Sequence, residues 1–158
     1  NVHEQDFSGD GNGDRQGHGT HCAGTIFGRD VGGLRIGVAR GVTHAFVGKV
    51  LNDRGGGDSE MLFRGIQWAL SNNAGVISMS LGFDFPGFVD HLVNQRGYPV
   101  NLATSIALRE YLATARAFDA LMQFAKAQIP FDGGTVVVAA AGNESQPNLP
   151  IGASLPAV

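Results

Sequence analysis

Cysteine is nearly absent: Cys22 is the single one in 158 residues, so no disulfide can form within the chain and a disulfide-stapled scaffold is excluded. No apolar run approaches the ~20 residues that a membrane-spanning helix needs. The opening Asn1-Val2-His3-Glu4-Gln5-Asp6 is polar and carries no signal-peptide pattern. Basic charge is not in excess either. Eleven Lys and Arg against 14 Asp and Glu give a net charge of −3, which does not suit a nucleic-acid surface. No G-x-G-x-x-G or G-x-x-x-x-G-K-[ST] follows a predicted strand, which argues against a nucleotide-binding α/β domain. Glycine, by contrast, is plentiful at 24 residues without any fixed period, and implies tight turns and close backbone contacts. With 43% apolar residues, a chain of this length can bury roughly 70% of its unfolded surface as one domain.

The densest stretch is Gly17-His18-Gly19-Thr20-His21-Cys22-Ala23-Gly24-Thr25. Small residues after a glycine-flanked histidine suit the start of a tightly packed helix. The glycines let another chain approach the imidazole, whose ordinary pKa fits general-base work near neutral pH. Taken alone, the stretch also fits a plain helix start with two ordinary histidines. Its surroundings narrow the choice. Together with Val76-Ile77-Ser78-Met79-Ser80-Leu81-Gly82 and Val136-Val137-Val138-Ala139-Ala140-Ala141-Gly142-Asn143-Glu144, it resembles the histidine box, substrate-binding strand and oxyanion segment of the subtilisin-like serine proteases (peptidase S8), in that family's order.

Along the chain, residues 1–17 read as a polar, glycine-rich loop. Asp10-Gly11-Asn12-Gly13-Asp14 starts like a calcium loop, but Arg15 and His21 occupy positions where an EF-hand needs Gly and Glu. A solvated turn is the expectation, with another kind of calcium site as the alternative. A short helix is predicted from His18 to Ile26 or Phe27, then a glycine-rich loop in which Gly37-Val38-Ala39 resembles a family turn, with Arg40 where proline is usual. Val42–Leu51 alternates as a strand does. Asp58 or Ser59 caps a helix running to about Asn72, and Val76–Leu81 is a buried strand. That strand–helix–strand order predicts one parallel βαβ unit.

Asp84-Phe85-Pro86-Gly87 and Gly97-Tyr98-Pro99 read as turns. From Asn101, a candidate N-cap, Leu102, Ile106, Leu108, Leu112, Ala115, Phe118, Met122 and Ala125 recur at helical spacing. The stripe predicts one long helix, or two in line, packed against the sheet, with a docking face as the alternative. Residues 130–134 break the helix, Thr135–Ala140 is another buried strand, and 147–158 is a loop. Compared with the family, the segment at about 84–132 is an insertion, mainly helical.

The resemblance implies an α/β fold of the subtilisin-like three-layer kind, a parallel sheet flanked by helices, with residues 1–158 as the central part of the catalytic domain. It implies peptide-bond hydrolysis by an Asp-His-Ser triad. Carried over by motif, His18 is the general base and Asn143 the oxyanion donor, while His21 is structural. Ser80, Leu81 and Gly82 form one wall of the substrate cleft and Ala140, Ala141 and Gly142 the other. Gly55 supplies a second backbone edge, so that a peptide adds as a strand between them. Small residues there favour a large apolar side chain before the cut, although Phe83 stands at the rim.

Cys22 reads as a small buried packing residue rather than a nucleophile. Asp6, Asp10 and Asp14 lack the D-T-G or D-S-G context of the triad aspartate, and Ser145 and Ser154 lack the G-T-S-M-A context of the triad serine. The resemblance therefore expects both in companion segments of the protease domain, and expects this chain by itself to be inactive. The chemistry requires no cofactor. Calcium is frequent in the family, but no ligand set in this chain is convincing and no metal-binding residue is assigned. A polypeptide substrate is the expected partner, with neither nucleic acid nor membrane. The alternative is a shortened, non-catalytic relative that binds peptides or partners.

Overall fold

The computed structural model describes residues 1–127, 134–143, 145, 147 and 148. The chain divides into two compact units, 1–74 and 75–158.

In the first unit β1 (Val2–Asp6) pairs in parallel with β2 (Ala45–Lys49), Val2 opposite Ala45 and Asp6 opposite Lys49. This corrects the expectation of a loop over 1–17. Val2 is the one apolar residue in β1, so no alternating pattern marks it, and its backbone pairing with β2 makes the strand. α1 (His18–Phe27) lies between the two strands in sequence. α2 (Ser59–Ser71) begins where Asp58 accepts the Met61 N–H at 2.8 Å, the cap read from the sequence. α2 packs on β2. Ile66 is 2% exposed, and Trp68 meets the rings of Phe7 and Phe46 edge-on at centroid distances of 5.9 and 5.5 Å. Such aromatic pairs contribute roughly 0.5–1.5 kcal/mol each beyond their burial.

In the second unit β3 (Val76–Met79) pairs in parallel with β4 (Val136–Ala139), Val76 opposite Val136 and Met79 opposite Ala139. The predicted βαβ unit across 42–81 is thus corrected: β2 and β3 belong to different two-stranded sheets. The parallel pairs arise from β1–α1–β2 and from β3, two helices and β4. The strands predicted as buried at 76–81 and 135–140 are buried on at most one face. In β3 only Ile77 and Met79 are buried, and Val76, Val136 and Val138 are more than half exposed.

The predicted turn at 84–87 is the start of a helix, α3 (Phe85–Asn94). Asp84 caps it, accepting the Gly87 N–H at 2.8 Å, and Pro86 sits in the first turn, where a missing N–H costs nothing. α4 is a single helix, Val100–Ala127. It begins one residue before the predicted cap Asn101, with Ala103 N–H donating to Pro99 O at 2.9 Å. Its N-terminal half packs on α3 through a face offset from the predicted stripe: Leu92 of α3 clusters with Ala103 and Ala107, flanked by Phe85, Phe88, Val89, Val93 and Ile106. Small alanines let the two helices approach, whereas Leu102, Leu108 and Leu112 of the predicted stripe stand exposed. The expected break at 130–134 and the tail from 147 fall mostly outside the described residues, as does Ser154. Among the described residues, no helix is long and apolar enough to cross a membrane.

Candidate active site

His18 opens α1 on the loop that leaves the C-terminal end of β1. Gly17, in front of it, holds a left-handed backbone at φ 92°, a conformation glycine adopts without strain. The His18 N–H donates to Gln16 Oε1 at 3.0 Å, and the His18 ring Nε2 lies 3.8 Å from Cys22 Sγ, one turn along the same helix. Cys22 is half-buried rather than fully buried.

Gly55 sits at φ 83° in the loop that leaves the C-terminal end of β2. A Cβ there would lie 3.8 Å from Gln16 Nε2. Gln16 therefore bridges the two features, its carbonyl oxygen on the His18 backbone and its amide end beside Gly55. Asp53 holds the Gly55 loop from beneath. It takes Lys49 Nζ at 2.6 Å and Arg15 at 3.3 Å, and its N–H donates to Asp10 Oδ2 at 2.8 Å. The loops after β1 and β2 are thereby tied into one rigid end of the first unit.

In the second unit, parallel pairing sends the segments after β3 and β4 out side by side. Ala140 N–H donates to Met79 O at 3.0 Å. Ser80, Leu81 and Gly82 follow one strand. Ala140, Ala141, Gly142 and Asn143 follow the other, with Gly142 at φ 107°. Apart from the half-buried Leu81, these seven residues are exposed. Ligands of parallel α/β sheets bind at the carboxyl ends of the strands, and every candidate site residue follows such an end in sequence, His18 at the head of the helix after the 7–17 loop and Gly55 in the loop after β2.

Two carboxylates, one at each end of the loop 7–17, stand out. Asp6 Oδ1 accepts the Ser8 hydroxyl at 2.6 Å and the Ser8 N–H at 2.9 Å, and its Oδ2 accepts the N–H groups of Gly9 and Gly11 at 3.0 Å each. The Ser8 hydroxyl and these N–H groups hold its pKa down at about 2. Asp14 is held well below the usual carboxylate range by N–H groups of Thr20 and Gly17, the Thr20 side chain and the Gln16 N–H. Asp10 and Asp14 are thus committed to backbone N–H groups, and among the described residues no three His, Cys, Asp or Glu side chains are grouped to hold a metal ion.

Residues 1–157 match the profile of the Subtilase family, peptidase S8. The parallel pairing of its strands, with helices between them in sequence, agrees with that match. The chain belongs to the subtilase family. It is 42% identical to subtilisin DY of Bacillus licheniformis over 81 residues, which is 51% of this chain and 28% of that protein. Over 69 residues it is 44% identical to subtilisin E of Bacillus subtilis (strain 168), covering 44% of this chain and 18% of that protein. An extracellular serine proteinase of Thermus sp. (strain Rt41A) is 45% identical over 71 residues, 44% of this chain and 16% of that protein. The matches thus span less than a third of the length of these relatives.

Proposed function

We propose that this chain is the part of a subtilisin-like serine endopeptidase that carries the general base and the oxyanion donor. Membership of the subtilase family supports serine peptidase activity in general. The finer assignment is carried over by motif and is supported by one observation: His18, Gly55, Ser80–Gly82, Ala140–Gly142 and Asn143 all lie on segments that follow the carboxyl ends of parallel strands.

In this reading His18 takes the proton from a serine hydroxyl as its oxygen attacks the scissile carbonyl. It then returns that proton to the leaving amine. The Asn143 side-chain amide donates to the oxygen that becomes negative as the tetrahedral intermediate forms. An extended peptide adds as a strand along Ser80–Gly82, with Ala140–Gly142 lining the opposite wall of the cleft, and the family motif assigns Gly55 as a further backbone edge. The triad aspartate and serine come from companion segments of the protease domain, and without them this chain is inactive.

His18→Ala in the whole protein tests the assignment. Removing the base is expected to lower peptide turnover by on the order of 10⁴-fold or more while the fold is retained. Turnover near that of the parent would sink the assignment. A parent that binds peptides without cleaving them would instead favour a non-catalytic binding module.

A further inference from the structure

Asp14 has no role in the chemistry assigned so far, yet it holds the backbone on both sides of His18. Its Oδ1 accepts the N–H groups of Gln16 at 3.0 Å and Gly17 at 2.8 Å, and its Oδ2 accepts the Thr20 N–H at 2.7 Å. The Thr20 side chain adds a further bond. Thr20 lies in the first turn of α1, whose N-cap, Gly17, has no side chain to close the helix. The capping oxygen thus comes from three residues further back. Gln16, fixed at its own N–H by Asp14, accepts the His18 N–H at its Oε1. On the other side of the loop, Lys49 Nζ donates to Gly11 O at 3.0 Å and Arg15 pairs with Asp53. The loop is therefore clamped to the end of β2, and Asp14 is the link between that clamp and the helix.

We propose that Asp14 is a positioning residue for His18: its carboxylate locks the junction of loop and helix, so that the imidazole is presented in the orientation that proton transfer needs. The inference rests on the reading of His18 as the general base. A side chain at the head of a helix is aimed by its backbone, and glycine on either side of His18 leaves that backbone without flanking side chains to restrain it. An error of about 1 Å in the placement of a reacting group costs on the order of 10²-fold in rate. Substrate binding, set by the strand edges, is not affected by such an error.

Asp14→Ala, Asp14→Asn and Asp14→Glu in the whole protein test it. Asp14→Ala is expected to lower kcat by roughly 10- to 100-fold with KM within about twofold, in enzyme whose circular dichroism and titratable active sites match the parent. Asn keeps one acceptor oxygen but turns an NH₂ towards the Thr20 N–H, so an intermediate loss is expected. Glu keeps the charge and is expected to restore part of the rate. If the alanine variant does not fold, the Asn and Glu variants carry the same comparison. Parental kcat in the Asn and Ala variants would overturn the inference, as would a loss that only tracks the folded fraction. His18→Ala separates the two readings. If it remains active, the general-base assignment fails. If it is dead while the Asp14 variants are unimpaired, only the positioning role fails.

Discussion

Asp6 closes the other end of the loop that Asp14 closes at the helix. Its carboxylate gathers the Ser8 hydroxyl and three backbone N–H groups, and glycines at 9, 11 and 13 take the left-handed conformations that let those groups turn inward. The Ser8 hydroxyl is the largest cause of its low pKa. A pKa lowered from 3.8 to about 2 means the folded state holds the charged form more tightly than the unfolded chain does. That contribution is complete above the unfolded value and disappears as pH falls towards the folded one. The urea midpoint of the protein is therefore expected to decline between about pH 4 and pH 2. In Asp6→Asn the midpoint at pH 7 should be lower and this acid limb shallower. An unchanged acid limb would show that other carboxylates set it.

At the scale of elements, the approach of α2 to the residue that follows β2 is decided at Gly65. A Cβ at that position would lie 2.6 Å from Val50 Cγ1, closer than real side chains come. Alanine in a helix interior gains about 0.5–1 kcal/mol over glycine. Overpacking costs about 1–3 kcal/mol, and Val50 is short and branched with little freedom to yield. The clash wins, so Gly65→Ala is expected to destabilise by about 1 kcal/mol. Val50→Ala removes the obstructing methyl, so the two substitutions together should cost less than their sum. Urea midpoints of the four proteins measure that coupling, and strict additivity would place the conflict elsewhere.

The same scale shows what was legible in the sequence. α1, β2, α2, β3 and β4 were readable from period, length and the Asp58 cap. β1 was not, because a strand with one apolar residue carries no alternation and exists through its partner. α3 was missed because Asp-Phe-Pro-Gly is both a turn signal and a capped helix start, and only the residues after it decide. The stripe on α4 gave the helix but not its partner, since alanines at 103 and 107 mark the close contact better than leucines do. The candidate site was legible as motif alone: His18, Asn143 and the segments after the strands are assigned by resemblance. Asp14 was not, though a carboxylate four residues ahead of a histidine whose helix begins with an uncapping glycine is a signal that could have been used.

At the scale of the whole molecule the exposed apolar surface is the informative quantity. Val31, Leu34, Ile36, Val38 and Val42 are exposed in the first unit. In the second, Leu102, Leu108 and Leu112 lie open on α4, and Val76, Val136 and Val138 on the sheet. Single exposed leucines are ordinary, but contiguous apolar faces beyond a few hundred Å² mark surfaces that something covers. The valines at 76, 136 and 138 occupy one face of the β3–β4 pair, because Val76 and Val136 are register partners and alternate residues share a face. A two-stranded pair with one open apolar face is marginal alone and invites further association. The 158-residue chain expressed alone is therefore expected to self-associate, with light scattering giving masses well above 16.5 kDa. Replacing Val136 and Val138 with threonine keeps strand propensity while making that face polar, and should shift the population towards the monomer. A monodisperse 16.5 kDa species from the unmodified chain would mean that these faces are covered within the chain itself. Association that persists undiminished in the threonine variant would instead move the sticky surface to α4 or to the loop at 31–42.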